Sequence, residues 1–368
     1  MWNKIEMKRW HRLFYDQLVR RWKQNIVFAA ATIFFLQFLI VKLHPSEVQE
    51  FNEAQCADIY PKLKQGLISV NEGMRTLVGH ELKLIGEKEF DVTGYTVKRP
   101  LLNCLDQEDE LLHRTIKEKY FVKGNVSGRG FSKPYEELKH PYQTQDLLEL
   151  VFKELRNGFY VEAGAWDSEQ MSVSLLFEVG FNWTGILIEA NPWDHQLGLL
   201  RNRNALYLNT CLGLTVRPQF SDFVFTPAVE VKEGQWMASM GGLSETLLNP
   251  DSIKLQCFPF YSILMAAGNP TVNLLILDIE GAEFAVLKTI PWNKVDIQVM
   301  TIETDLIGKA GISGGSQEEA REFIISKGYT LFKHRNNINP VTGLENNDLF
   351  IRNDIVKKWN IKFPEPLN

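Results

Sequence analysis

The sequence predicts an α/β fold, a mostly parallel sheet with helices on both faces, placed behind one N-terminal membrane helix. Three observations predict it. From about residue 145 onward, apolar runs of strand length alternate with segments of helical periodicity, the pattern of a parallel sheet covered on both sides. Several of those runs end in an acidic residue and a tight loop, at the sheet edge where open α/β sheets bind ligands. Near the N-terminus, residues 26–41 read IVFAAATIFFLQFLIV, without a charge and with one polar amide at Gln37.

That apolar stretch follows a basic flank, in which Lys4, Lys8, Arg9, Arg12, Arg20, Arg21 and Lys23 face only Glu6 and Asp16. A bilayer core of roughly 27 Å needs about 18 helical residues, and snorkelling of Lys42 extends the run to Leu43. A cleaved signal peptide and a buried core helix are the competing readings. VKLHPSEV after the run offers no pair of small residues for cleavage, and the basic region ahead is long, which favours a retained signal anchor. Residues 42–60 carry one lysine against Glu47, Glu50, Glu53 and Asp58, so the positive-inside rule sends the C-terminal bulk to the lumen. The expected organisation is a cytosolic tail over 1–25, a transmembrane anchor over 26–43, a lumenal stem over 44–144 and the α/β domain over 145–355.

Composition supports a real core in 368 residues, 45% of them hydrophobic and 11% aromatic. The net charge of −5 and the lack of a basic stripe set nucleic acid aside as a partner. The four cysteines, Cys56, Cys104, Cys211 and Cys257, have no C-x-x-C spacing, so no metal site is expected. Pairing Cys56 with Cys104 and Cys211 with Cys257 keeps each bridge within one region, but four cysteines allow three connectivities, and four buried free thiols are the alternative. Asn125-Val126-Ser127 and Asn182-Trp183-Thr184 match the N-glycosylation acceptor pattern.

The stem has helical periodicity around residues 53–70 and 108–119. Thr144 is placed to cap a helix with Leu147, Leu148, Val151 and Leu155 on one face, ending before Gly158. A first strand at 159–161 leads into a tight loop over 162–167 and a helix through Leu175, Leu176 and Phe177. A second strand at 185–188 closes in Glu189-Ala190-Asn191-Pro192 and a helix with Leu197, Leu199 and Leu200. Strand three is expected at 205–209. Residues 214–250 read as mixed strand and loop, with a small flexible run at 240–243, and 252–267 as a helix. The run 273–277 has the character of a buried strand and ends at Asp278. After it come a helix over 282–288, a strand over 297–302 ending at Glu303, a helix over 317–327, and a closing antiparallel hairpin of 329–334 with 348–352.

The strand ends carry the candidate chemistry. Gly164, flanked by alanines, lets a backbone approach a ligand closely. Glu189 stands where a carboxylate takes two ribose hydroxyls in nucleotide sites, with a helix cap as the plain alternative. Asp278, Glu280 and Glu283 place three carboxylates in six residues, and so dense a cluster beside a buried strand is costly unless solvated, paired or used.

Tyr160-Val161-Glu162-Ala163-Gly164-Ala165, Gly185-Ile186-Leu187-Ile188-Glu189-Ala190-Asn191-Pro192 and Leu277-Asp278-Ile279-Glu280-Gly281-Ala282-Glu283, in that order, resemble the FkbM family of S-adenosylmethionine-dependent methyltransferases over about 145–352. With 257–262 and 277–292 added, the chain is similar to the animal Star-like subgroup. The resemblance implies a Rossmann-like class I methyltransferase sheet, S-adenosylmethionine as cofactor, and a cofactor site made by Glu162, Gly164, Ala165, Asp167, Glu189 and Asn191. It places Asp278 and Glu280 at the transferring methyl, with Asp278 as base and His195 as a further candidate. Trp166 and Ser168 depart from the family pattern. The subgroup implies a single-pass type II membrane protein of the endoplasmic reticulum or Golgi, with endosome and plasma membrane as further stations, acting in trafficking of lumenal cargo such as growth-factor ligands. The alternative is an active O-methyltransferase on a glycan or small-molecule hydroxyl.

Overall fold

The computed structural model describes residues 100–124, 130–138, 140–225, 230–232, 235–236, 241–244, 252–308, 315–333 and 347–362. The expected cytosolic tail, anchor and most of the stem lie outside these residues. Among those described, no helix is long and apolar enough to cross a membrane.

In chain order, α1 (Glu110–Lys119) and β1 (Val122–Lys123) precede α2 (Tyr142–Asp146), which runs into a π-helical stretch over Leu147–Phe152. The βα units follow as β2 (Phe159–Ala163), α3 (Leu175–Phe181), β3 (Thr184–Glu189), α4 (Pro192–Leu199) and β4 (Ala205–Asn209). An antiparallel section comes next, with β5 (Cys211–Leu212), β6 (Gln219–Phe225), β7 (Glu230–Lys232), β8 (Gln235–Trp236), β9 (Gly241–Ser244) and β10 (Ser252–Phe258). The chain closes with α5 (Phe260–Ala266), β11 (Val272–Leu277), α6 (Glu283–Thr289), β12 (Ile297–Glu303), α7 (Gln317–Ser326), β13 (Tyr329–Lys333), β14 (Asn347–Arg352) and α8 (Asn353–Lys358).

The main sheet has the order β1-β4-β3-β2-β11-β12-β14-β13. Its five central strands, β4 to β12, are parallel. The expected hairpin closes the sheet, with β14 antiparallel to both β12 and β13. Strand order reverses between β2 and β11, which makes a switch point at their carboxyl ends. The unbroken apolar run of β11 has a direct cause. Its Leu275 and Leu277 feed one core and Leu274 and Ile276 the other, on opposite faces of the sheet, so no position faces water.

Several expectations shift. The segment assigned to the stem contributes Leu102, Leu105, Leu112, Ile116 and Tyr120 to the main core. Asp109 caps α1, accepting from the Leu111 N–H at 2.9 Å. Thr144 lies inside α2 rather than capping it, because Pro141 starts that helix. The first half of the helix expected over 252–267 is β10. Alternating Leu255 and Cys257 fill a small core, and Pro259, which cannot continue a ladder, begins the helical half. Gly241, Gly242 and Leu243 are paired in β9 instead of forming a flexible run.

The second sheet has the order β5-β10-β6-β9. Cys211 and Cys257 are register partners in its parallel β5–β10 pair and form a disulfide, the pairing expected for them. Cys104 is also disulfide-bonded. Cys56, with which the sequence pairs it, lies outside the described residues.

Candidate functional site

A cleft of about 320 Å³ opens at the carboxyl ends of β2, β3 and β11. Gly164 and Trp166 line it from the β2 loop, Glu189 from β3, Asp278 and Glu280 from the β11 loop, and Cys211, Leu212 and Phe223 from the second sheet. It lies at the switch point, where the loops after β2 and β11 diverge.

The β2 loop is built under strain. Gly164 has φ +83°, and a side chain there would meet the Asp278 carbonyl oxygen at 1.7 Å. The N–H groups of Gly164 and Ala165 both donate to the Ile188 carbonyl. Beyond them Trp166, Ser168 and Met171 hold φ of 45°, 59° and 56°, a region each non-glycine residue adopts at a cost on the order of 1–3 kcal/mol. Ser168 therefore keeps a backbone conformation that glycine adopts without cost.

Arg203 holds that loop from below. It is 0% exposed, and its guanidinium donates to the Ser168 carbonyl at 2.9 Å, Ser172 Oγ at 2.8 Å, Ser174 Oγ at 2.7 Å, the Tyr160 hydroxyl at 3.1 Å and Glu178 Oε2 at 2.9 Å. Ser172 and Ser174 in turn donate their hydroxyls to Glu162, whose second oxygen accepts from the Val173 N–H at 2.9 Å. A buried, fully partnered arginine of this kind rigidifies what it touches.

Glu189 ends β3 with its carboxylate against that loop. One oxygen accepts from the Trp166 N–H and the other from the Asn191 N–H, both at 2.7 Å. Burial pushes its pKa up to about 8, against the pull of those N–H groups and with added repulsion from Asp194. The carboxylate is oriented by backbone and has no arginine or lysine partner among the described residues.

A second carboxylate group forms around β11 and β12. Asp278 and Glu303, at the ends of these parallel neighbours, are hydrogen-bonded to each other. Burial raises both, and Glu303 keeps the shared proton because the Asp278 charge beside it favours its neutral form. Burial, with repulsion from Asp278 and Asp305, lifts Glu280 to about 7. Burial lifts Glu283 to about 8; it accepts from the Ile279 and Gly281 N–H groups at 2.7 and 3.2 Å and folds the β11 loop onto α6.

Of the residues the sequence nominates, Glu162, Gly164, Ala165, Glu189, Asp278 and Glu280 line the cleft. The Glu162 carboxylate, however, is taken up by the serines and Val173. Asp167 is outside the lining. It accepts from the Glu169 and Gln170 N–H groups and pairs with Arg201 at 3.0 Å. Asn191 is outside as well, with its side chain donating to Asp194 and its N–H to Glu189. His195 is buried in α4, away from the cleft, and burial holds its pKa down at about 4. Glu303 was visible as an acidic strand end, but its pairing with Asp278 was not. Arg203, between Asn202 and Asn204, reads as solvent loop and gives no sequence signal.

Residues 162–331 match the family model described as the methyltransferase FkbM domain. No curated protein matches the chain. Among solved structures, a chain of the fibrillarin/Nop5p complex aligns with 64% of this chain and 90% of its own length, at 13% identity and a TM-score of 0.31.

Proposed function

We propose, from the FkbM-domain match and the cleft together, that this domain is an S-adenosylmethionine-dependent methyltransferase acting on a hydroxyl group. The observation that carries the reading is Glu189, a buried carboxylate fixed by two backbone N–H groups at the switch-point cleft. Its free lone pairs suit two donating hydroxyls of a ribose. The rest of the cleft fits the same cofactor. Gly164 keeps its floor free of any side chain, Leu212, Cys211 and Phe223 make an apolar wall suited to a flat ring, and the carboxylates near Asp278 suit a cation. When bound, the cofactor supplies an electrophilic methyl group.

The chain's own residues supply proton handling and orientation. Asp278 accepts the proton of a substrate hydroxyl as its oxygen becomes a nucleophile, and Glu303, holding its own proton, fixes the Asp278 carboxylate by hydrogen bond. The Arg203 network keeps the β2 loop in its strained form, so ordering it is not left to the moment of binding.

The domain faces an oxidising compartment, behind a single N-terminal anchor that makes the chain a type II membrane protein of the early secretory pathway. The Cys211–Cys257 bridge and the disulfide of Cys104 support this placement.

Calorimetric titration of the full chain with S-adenosylmethionine and its demethylated product tests the reading. Binding of both is expected. Glu189→Ala should weaken it about tenfold to a hundredfold, the loss of two hydrogen bonds worth roughly 0.5–1.5 kcal/mol each. Asp278→Asn should keep binding and lower turnover about 10²- to 10⁴-fold. A folded chain that binds neither ligand would overturn the enzyme reading and leave a silent module that engages a lumenal partner.

A further inference from the structure

We infer that Asn182 carries an N-linked glycan, attached at the sheet edge opposite the cleft. The inference rests on the lumenal placement proposed above. Asn182-Trp183-Thr184 has the acceptor pattern, and the fold presents it in the form a glycan requires. Asn182 and Thr184 are both exposed. Asn182 is the C-cap of α3 in the left-handed conformation, φ 58° and ψ 37°, which asparagine tolerates well, and its backbone N–H closes the helix on Phe177. Its side-chain nitrogen donates to Asn157 Oδ1 at 2.6 Å. A primary amide has two N–H protons, so attachment uses one and this contact retains the other.

The surroundings leave room. Asn157, Gly180 and Asn182 form a polar, exposed rim, and Thr184 begins β3 at its amino end. The cleft lies at the carboxyl end of that strand, six residues and roughly 20 Å away. A glycan here neither enters nor shades the cleft. Trp183, by contrast, is 0% exposed, and its indole N–H donates to the Leu155 carbonyl at 2.8 Å. The central residue of the acceptor is therefore locked in the finished fold, so attachment must precede folding. The two oxidised cysteine sites are the independent sign that the chain folds where such transfer occurs.

In the transfer, the Asn182 amide nitrogen forms a bond to the anomeric carbon of an oligosaccharide carried on a polyprenyl pyrophosphate. The bond from that carbon to the pyrophosphate oxygen breaks, the lipid pyrophosphate leaves with the electron pair, and the amide loses one proton. A cellular oligosaccharyl transferase catalyses the step.

The test expresses the full chain in animal cells, removes N-glycans enzymatically in heavy-oxygen water, and reads the peptide containing Asn182 by mass spectrometry. Conversion of Asn182 to heavy-labelled aspartate in most copies is expected, with loss of one glycan from Asn182→Gln on a gel. Recovery of unlabelled Asn182 in most copies overturns the inference. A reporter separates the two failures. Asn269-Pro270-Thr271 has an exposed asparagine and threonine at the amino end of β11, and its proline blocks the pattern. Pro270→Ala completes an acceptor there. A glycan on Asn269 with none on Asn182 sinks the inference alone, whereas none on Asn269, Asn182 or Asn125 also sinks the lumenal placement.

Discussion

Two sets of carboxylates lie in and beneath the loops around this cleft, and they are treated in opposite ways. Below the β2 loop, Glu162, Glu169, Glu178 and Asp167 are each matched to Arg203 or Arg201. At the ends of β3 and β11, Glu189 and Glu283 have N–H donors, Asp278 has another carboxyl and Glu280 faces only the charges of Asp278 and Asp305, with no arginine or lysine among the described residues. Burying charge without a counterion is costly. The first set is held by arginine; the second is the set to which the proposed function assigns the cofactor's cation and hydroxyls.

The comparison breaks most visibly at Arg203. Arg203→Met should destabilise the chain by about 3–5 kcal/mol in denaturant unfolding, because it strands Glu162 and Glu178 in the interior. A loss under 1 kcal/mol would mean the network carries no load. Tyr160→Phe is a milder cut through the same set. It removes the hydroxyl that donates to Glu178 at 2.6 Å and should lower stability by roughly 1.5–3 kcal/mol while leaving cofactor affinity within about twofold.

On the other side the sign reverses. Glu189→Gln should leave the ligand-free chain as stable or about 1 kcal/mol more stable, since an unpaired buried acid is lost, while cofactor affinity falls. The same set also makes stability depend on pH. Glu189 and Glu283 at about 8 and Glu280 at about 7 all lie above their unfolded values near 4.5. Their folded state binds protons more tightly, so their contribution is complete below about pH 4.5 and is lost as pH rises through 7 to 8. Unfolding of the ligand-free chain at pH 6 and pH 8.5 should show that decline, and Glu189→Gln should flatten it. A rise in stability over the same interval would contradict the assignment.

What the sequence reveals follows this division. β4, β11, β12 and the closing hairpin were legible because their side chains obey one rule, apolar on both faces or alternating. The acids of the second set were legible because strand ends expose them as a pattern. The first set was not, since its logic is tertiary. That Ser172 and Ser174 fold back onto Glu162 has no trace in the sequence, and Arg203 reads as surface. The helix expected over 252–267 is a strand in its first half, which only the pairing of β10 with β6 reveals. The segment around α1 reads as stem because Gly, Pro and charged residues interrupt its periodicity, yet Leu105, Leu112 and Ile116 join the main core.

The Cys211–Cys257 bridge makes a closed covalent ring of the chain between those residues. A protease that cuts anywhere between Phe225 and Ser252 opens the ring without releasing a fragment. The nicked protein should run as one band on a non-reducing gel and as two after reduction, with Cys211, Leu212 and Phe223 still tethered beside the cleft. Damage to the outer strands is thereby kept from becoming loss of the wall.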